Sequence, residues 1–127
     1  MNNRFILSLA IAVSGILQVS AEQFRPPSVP LVTFDPYLSI WSAADHLTDR
    51  PTQHWTTRHH SLDSLIRVDG VAYRLMGSEP ESTPALPQTS LQVTPTSSIY
   101  DFENEKIHVT MTFMTAALPH DVAAGRQ

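Results

Sequence analysis

A chain of 127 residues with 42% hydrophobic and 16% charged content has the size and composition of one globular domain, not of a disordered or collagen-like polypeptide. Eight Lys+Arg against twelve Asp+Glu give a formal charge of −4 with no basic run, which sets aside the electrostatic footprint of a nucleic-acid binder. The absence of cysteine removes disulfides, thiolate nucleophiles, thiolate zinc sites and iron–sulfur clusters together, so a metal would have to use His and carboxylate ligands.

The first 21 residues read as a secretory signal peptide. A polar start carries one cation, Arg4, an apolar stretch fills positions 5–19, and Val19-Ser20-Ala21 supplies a small-residue cleavage site before Glu22. The apolar stretch is shorter than the ~20 residues of a membrane span, so no stable membrane insertion is expected after cleavage. Losing 21 residues and one Arg leaves a chain of 106 residues with a formal charge of −5, expected to be secreted or periplasmic.

All ten prolines lie after residue 25, which argues against long helices in the rest of the chain. Pro26, Pro27, Pro30 and Pro36 fix φ repeatedly and remove backbone donors, so this stretch is expected to be extended, with a short edge strand at 31–34. Residues 37–42 alternate, placing Tyr37, Ser39 and Trp41 on one side and Leu38, Ile40 and Ser42 on the other, as in a strand buried on both faces. Positions 43–64 hold three Asp, four His and one Trp with few aliphatics, and read as a long loop.

The clearest local signal follows. Residues 65–68 and 71–75 flank Asp69-Gly70, the pair that a type I′ turn favours because both central positions need φ > 0, so a β-hairpin is predicted. Residues 78–88 form a proline-rich linker, and strands are predicted at 89–94, 97–103 and 106–114, the last two joined through Glu103-Asn104-Glu105. Ile107, Val109, Met111 and Phe113 alternate with His108, Thr110 and Thr112, the period of a half-buried strand. The expected fold is mainly β: the N-terminal part of an antiparallel β-sandwich, incomplete, with long proline-rich loops and an exposed last strand.

The chain lacks G-x-S-x-G, H-E-x-x-H, P-loop and G-x-G-x-x-G patterns. One polar cluster has metal-ligand chemistry: Asp45, His46, Asp49, His54, His59, His60 and Asp63. Neighbours on an extended backbone point to opposite faces, so His59 and His60 are poorly placed to share an ion, and no metal is expected. Asp45 and Asp49 are one helical turn apart and would aim the same way on a turn of helix, although capping and loop hydrogen bonding are the plainer uses of Asp. Trp41, Trp55, Tyr37 and Tyr73 have the chemistry of a sugar- or peptide-binding platform, set against the ordinary use of aromatics in a small core.

The run Phe24-Arg25-Pro26-Pro27-Ser28-Val29-Pro30-Leu31-Val32 is followed by Asp35-Pro36-Tyr37, Ser39-Ile40-Trp41-Ser42, Asp45, Leu47-Thr48-Asp49 and His54-Trp55-Thr56. Further on come Arg67-Val68-Asp69-Gly70, Tyr73-Arg74-Leu75-Met76-Gly77, Leu86-Pro87-Gln88 and Val109-Thr110-Met111-Thr112-Phe113. Together these blocks resemble the opening of the glutaminase A-like family. The resemblance implies a secreted multidomain hydrolase of L-glutamine to L-glutamate and ammonia, with residues 22–127 as the start of its N-terminal β-sandwich region. It also implies a helical toroid domain as the missing partner within the same polypeptide and glutamine as small-molecule substrate; no cofactor is expected. The fragment alone is expected to be inactive, because half a sandwich cannot enclose and dry a site. The resemblance assigns no catalytic residue to these positions, and the catalytic residues stay unknown. Asp45, Asp49, His54 and Trp55 are the expected substrate contacts if a loop of this region borders the active site. A carbohydrate-binding or structural β-sandwich module of a glycoside hydrolase-like protein is the alternative.

Overall fold

A computed structural model describes residues 25–115. The segment read as a signal peptide lies outside the described residues. Eight strands form three antiparallel sheets: β1 (Val29–Thr33), β2 (Ser39–Ser42) and β3 (Gln53–His54) in one; β4 (Ser64–Val68) and β5 (Val71–Met76) in a second; and β6 (Gln88–Val93), β7 (Ser97–Glu103) and β8 (His108–Met114) in a third. Among the described residues there is no helix, and so none long and apolar enough to cross a membrane. The mainly β expectation holds at this level, as three small sheets.

The predicted hairpin forms as two strands closed by Asp69 and Gly70, with φ of 50° and 82° and Val68 facing Val71. The β6–β7–β8 meander is also where the alternating pattern places it. Its second turn is built by Asn104, whose Oδ1 accepts from the backbone N–H of Lys106 (2.9 Å) and Ile107 (3.0 Å). Along β7, Ser98, Tyr100 and Phe102 are buried, and their register partners on β8 are Phe113, Met111 and Val109 on the same face. Tyr100 and Phe113 meet edge to face with ring centroids 5.9 Å apart.

One expectation is corrected. Tyr37 is not on a strand and is 90% exposed, because the Asp35 carboxylate accepts from the N–H groups of Tyr37 (2.7 Å) and Leu38 (2.8 Å) and turns the chain before β2 begins at Ser39. The region 43–64 is the long loop that the sequence predicts, ordered by packing and hydrogen bonds and broken only by the two-residue β3 before β4 begins at Ser64. Leu47 is 1% exposed and joins the core, β3 pairs with β2, and Thr52 Oγ1 donates to the His60 carbonyl (2.8 Å) while accepting from Leu62 N–H (2.7 Å). The β1 strand is an edge strand, as predicted, and accommodates Pro30 at a register irregularity between Pro30 and Val32.

The core draws on all three sheets and on both connecting segments: Val29 and Leu31 from β1, Leu47 from the 43–52 segment, Leu75 and Met76 from β5, Leu86 from the proline-rich stretch, and Tyr100 and Phe102 from β7. Burial of such side chains contributes ~1.5–3 kcal/mol each, so the sheets are held together by a shared interior. Arg74 and Gln88 fasten the irregular segments over it. The Arg74 guanidinium donates to the carbonyls of Thr83 (2.8 Å), Gly77 (2.8 Å) and Thr48 (3.3 Å). The Gln88 amide accepts from Leu47 N–H (3.0 Å) and donates to the Asp45 carbonyl (3.1 Å), closing the same segment from the other side.

Gly77 ends β5 with φ of 87°, and a Cβ built there meets Asp63 Oδ1 at 1.8 Å. Gly77→Ala is therefore expected to cost about 1–3 kcal/mol, measured by urea denaturation. Adding Asp63→Ala should recover part of the loss, because it removes the clash and leaves the unfavourable φ.

Burial of the Tyr100 hydroxyl pushes its pKa from 10.0 up to about 12, with the Arg25 charge and the nearby Ser42 hydroxyl pulling more weakly the other way. Among the described residues neither Tyr100 Oη nor Arg25 Nε, both buried, has a hydrogen-bond partner. Since the folded state holds this proton more tightly than the unfolded chain does, the associated stability is fully present below pH 10 and is lost as pH rises from 10 to about 12. The expected loss is roughly 2–3 kcal/mol. Tyr100→Phe should flatten that part of the pH–stability profile.

Candidate functional site

The four residues expected to contact substrate fall in two places. Asp45 pairs with Arg25 at 3.0 Å, and Arg25 also donates to the Ala44 carbonyl. Asp49 Oδ2 accepts from His46 N–H at 3.0 Å and lies 3.2 Å from His46 Nδ1. The two carboxylates thus have separate partners in a turn closed by Asp49 N–H on the His46 carbonyl, 3.1 Å. These are the loop-bonding uses that Asp favours, and they lie beside the Gln88 clamp.

His54 and Trp55 stand together with a different set of partners. His54 closes β3, and the chain then turns sharply: His54 N–H donates to the Arg58 carbonyl (2.8 Å) and Thr57 N–H to the His54 carbonyl (2.8 Å). Thr57 is held at φ of 68°, an unusual conformation for a β-branched residue, inside this pair of bonds. Opposite lies the 34–38 loop, closed by Phe34 N–H on the Leu38 carbonyl (3.1 Å). The Pro36 carbonyl ties the two loops, accepting from His54 Nε2 (2.8 Å) and from the Trp55 indole N–H (3.1 Å). Because His54 Nδ1 accepts from Thr56 N–H (3.2 Å), the hydrogen belongs on Nε2. Both ring nitrogens are engaged, so His54 acts here as a latch.

Between the loops runs an open groove lined by Tyr37, His54, Thr56, Arg58, His59 and His60. Trp55 beside it is 59% exposed and its ring centroid is 5.5 Å from that of His54; the His60 ring lies 6.2 Å from His54 on the other side. His59 Nε2 approaches Ser61 Oγ at 3.1 Å, yet both are exposed and no carboxylate of the described residues bonds to the ring. Among the described residues no three His, Asp or Glu side chains converge as a metal site. Trp41 is half-buried, with its indole donating to Ser39 Oγ at 2.8 Å, and stays apart from the exposed pair Tyr37 and Trp55.

A second polar arrangement escaped the sequence reading. Asp101, on the outer face of β7, accepts from Ser90 Oγ on β6 (2.7 Å) and Thr110 Oγ1 on β8 (2.7 Å), each its register partner. These bonds hold its carboxyl below the usual range, with His108 adding to the shift. Period-two patterning places the three residues on one face; only the register shows that they are neighbours.

Residues 6–86 match the family described as a domain of unknown function, DUF4964. The chain belongs to that family. The DUF4964 match takes in β1 to β5 and the whole His54–Trp55 end, and stops at Leu86, short of the β6–β7–β8 sheet. The chain is also similar to glutaminase A of Aspergillus oryzae, 32% identical over 127 aligned positions. That similarity covers 93% of this chain and 18% of the fungal protein, so the chain spans less than a fifth of the length of the curated relative it matches. No solved structure matches.

Proposed function

We propose that this chain is the N-terminal, non-catalytic portion of an exported glutaminase-like amidohydrolase, whose complete form converts L-glutamine and water to L-glutamate and ammonia. The observation that supports the reading is the 32% identity to a glutaminase A along nearly the whole chain, combined with its coverage of only 18% of that protein. In this reading the three sheets belong to a sandwich completed by later parts of the polypeptide, and a helical toroid domain follows. Amide hydrolysis needs a positioned nucleophile or water, and donors for the developing oxyanion. The described residues offer an open groove, and its central histidine already has both nitrogens engaged. The His54–Trp55 end is the part of this region that borders substrate in the complete enzyme. Export rests on the charge, apolar stretch and small-residue site of the first 21 residues.

Reading the genomic DNA beyond the codon for Gln127 in all three frames tests this assignment. Sequence akin to the remaining four-fifths of the fungal relative supports it, and unrelated sequence in every frame removes it.

A carbohydrate-binding module is the second reading, favoured by the exposure of Tyr37 (90%) and Trp55 (59%) on the two loops that the Pro36 carbonyl ties. A saturable change in Trp fluorescence with oligosaccharides and none with glutamine would favour the module.

A further inference from the structure

We propose that the groove between the 34–38 loop and the 54–60 turn binds a small carboxylate, gripped by the Arg58 guanidinium and the His60 imidazole. The six lining residues supply a guanidinium, three imidazoles, a hydroxyl and a phenol, and no carboxylate. That is a local inversion of sign in a chain whose acids outnumber its bases by twelve to eight. Among the described residues Arg25 pairs with Asp45, Lys106 with Asp69 and Arg74 with three carbonyls, whereas Arg50, Arg58 and Arg67 are exposed and unpaired, and of these three Arg58 alone lines the groove. Arg58 is exposed on the groove wall, and its side chain takes part in no hydrogen bond or ion pair of the described residues. A planar guanidinium fork matches a carboxylate in two parallel hydrogen bonds, a geometry that an ammonium or a lone imidazole cannot offer.

The wall that carries Arg58 is held in place before any ligand arrives. The Arg58 carbonyl accepts from His54 N–H at 2.8 Å, Thr57 is fixed with positive φ immediately before it, and the His54 ring is pinned on the Pro36 carbonyl. Backbone strain at an exposed turn is retained where the surroundings over-determine it, and here the rigid turn limits the ordering that binding must still impose. His60 is placed to provide the second donor. Its backbone is tied to Thr52 through His60 N–H on the Thr52 carbonyl (3.3 Å) and Thr52 Oγ1 on the His60 carbonyl (2.8 Å), while its ring borders the groove. Tyr37 supplies an apolar face for the remainder of a short ligand. The groove is open to solvent, so millimolar affinity is expected, in keeping with ~4 kcal/mol of binding free energy.

The identity of the natural ligand, an amino-acid amide or its acid product, rests on the glutaminase-like reading; recognition of a carboxylate rests on the groove. The test uses the two tryptophans of the chain as paired reporters by nuclear magnetic resonance. The Trp55 indole N–H sits on the tie to Pro36 at the groove, and the Trp41 indole N–H is bonded to Ser39 away from it. In the full 127-residue chain, titration with glutarate at constant ionic strength is expected to shift the Trp55 signal saturably and leave Trp41 in place. Glutaramide, the uncharged diamide of the same length, should shift neither. Arg58→Gln, an exposed substitution whose other signals should be unchanged, is expected to weaken glutarate binding about tenfold, the loss of one charge-assisted contact.

An equal response in Arg58→Gln, an equal response to the diamide, or no saturable shift would each overturn the proposal. Glutarate binding alongside a longer polypeptide that fails to hydrolyse glutamine would remove the glutaminase reading and keep the groove. Hydrolysis by that polypeptide with no Arg58-dependent glutarate shift would do the reverse.

Discussion

Phe102→Ala is expected to destabilise the chain by about 3–5 kcal/mol, read as a lower urea midpoint with an unchanged slope. Phe102 is 0% exposed and lies where the core residues from β1, β5, β7 and the two connecting segments meet. Truncation removes the transfer free energy of the ring and leaves a cavity that strands fixed by their own ladders cannot collapse to fill. The total stability of a domain this size is about 5–15 kcal/mol, so the variant should be close to unfolding at 37 °C. Because all three sheets share this core, tryptophan fluorescence from the β1–β2–β3 sheet and circular dichroism should report one transition, even though the substitution is in the β6–β7–β8 sheet. Two separated transitions would show that the sheets are stabilised independently.

Arg74→Ala is the second large effect, expected at about 3–4 kcal/mol. Its guanidinium has no carboxylate partner and spends its donors on three backbone carbonyls from three segments: Thr48, Gly77 and Thr83. Hydrogen bonds to a charged group contribute ~1.5–3 kcal/mol each, and removing the donor leaves partly buried carbonyls without a partner. The Arg74 backbone serves the same segments, with its N–H on the Pro84 carbonyl and its carbonyl accepting from Leu86 N–H, both 2.8 Å. Those bonds survive the substitution, so the proline-rich stretch should stay attached while the 43–50 segment loosens. Arg74→Lys is expected to fall between wild type and Ala, because one ammonium cannot span the positions that the fork reaches. Hydrogen exchange at Leu47 and Gly77 N–H would locate the loss, since Gly77 N–H bonds the Leu47 carbonyl at 3.0 Å.

Local chemistry made part of this fold readable from sequence. Asp69-Gly70 encodes its own turn, Asn104 encodes another, and alternation along residues 107–113 gives the inward face of the last strand. The misread position is Tyr37, where a side chain bonds backbone two and three residues further on. Tyr37 was placed on a strand because its apolar spacing continues that of β2, whereas the Asp35 carboxylate captures its N–H first. The 43–64 stretch reads correctly as a loop, but its ordering comes from Thr52, Gln88 and Arg74, and the last two act across 41 and 26 positions of sequence. The candidate site was half legible. His54 and Trp55 do stand together, for a reason no spacing rule contains, namely a shared acceptor on Pro36; Asp45 and Asp49 have separate partners, the loop bonding that Asp favours. Arg58 had no pattern to mark it, and it stands out only once the groove and its lack of acidic neighbours are seen.

The most direct measurement of the functional account is ammonia release from L-glutamine, run in parallel on the 127-residue chain and on the longer polypeptide that contains it. The account predicts release by the longer polypeptide and none above the buffer blank from the chain alone. Turnover by the isolated chain, or inactivity of the longer polypeptide, would contradict it.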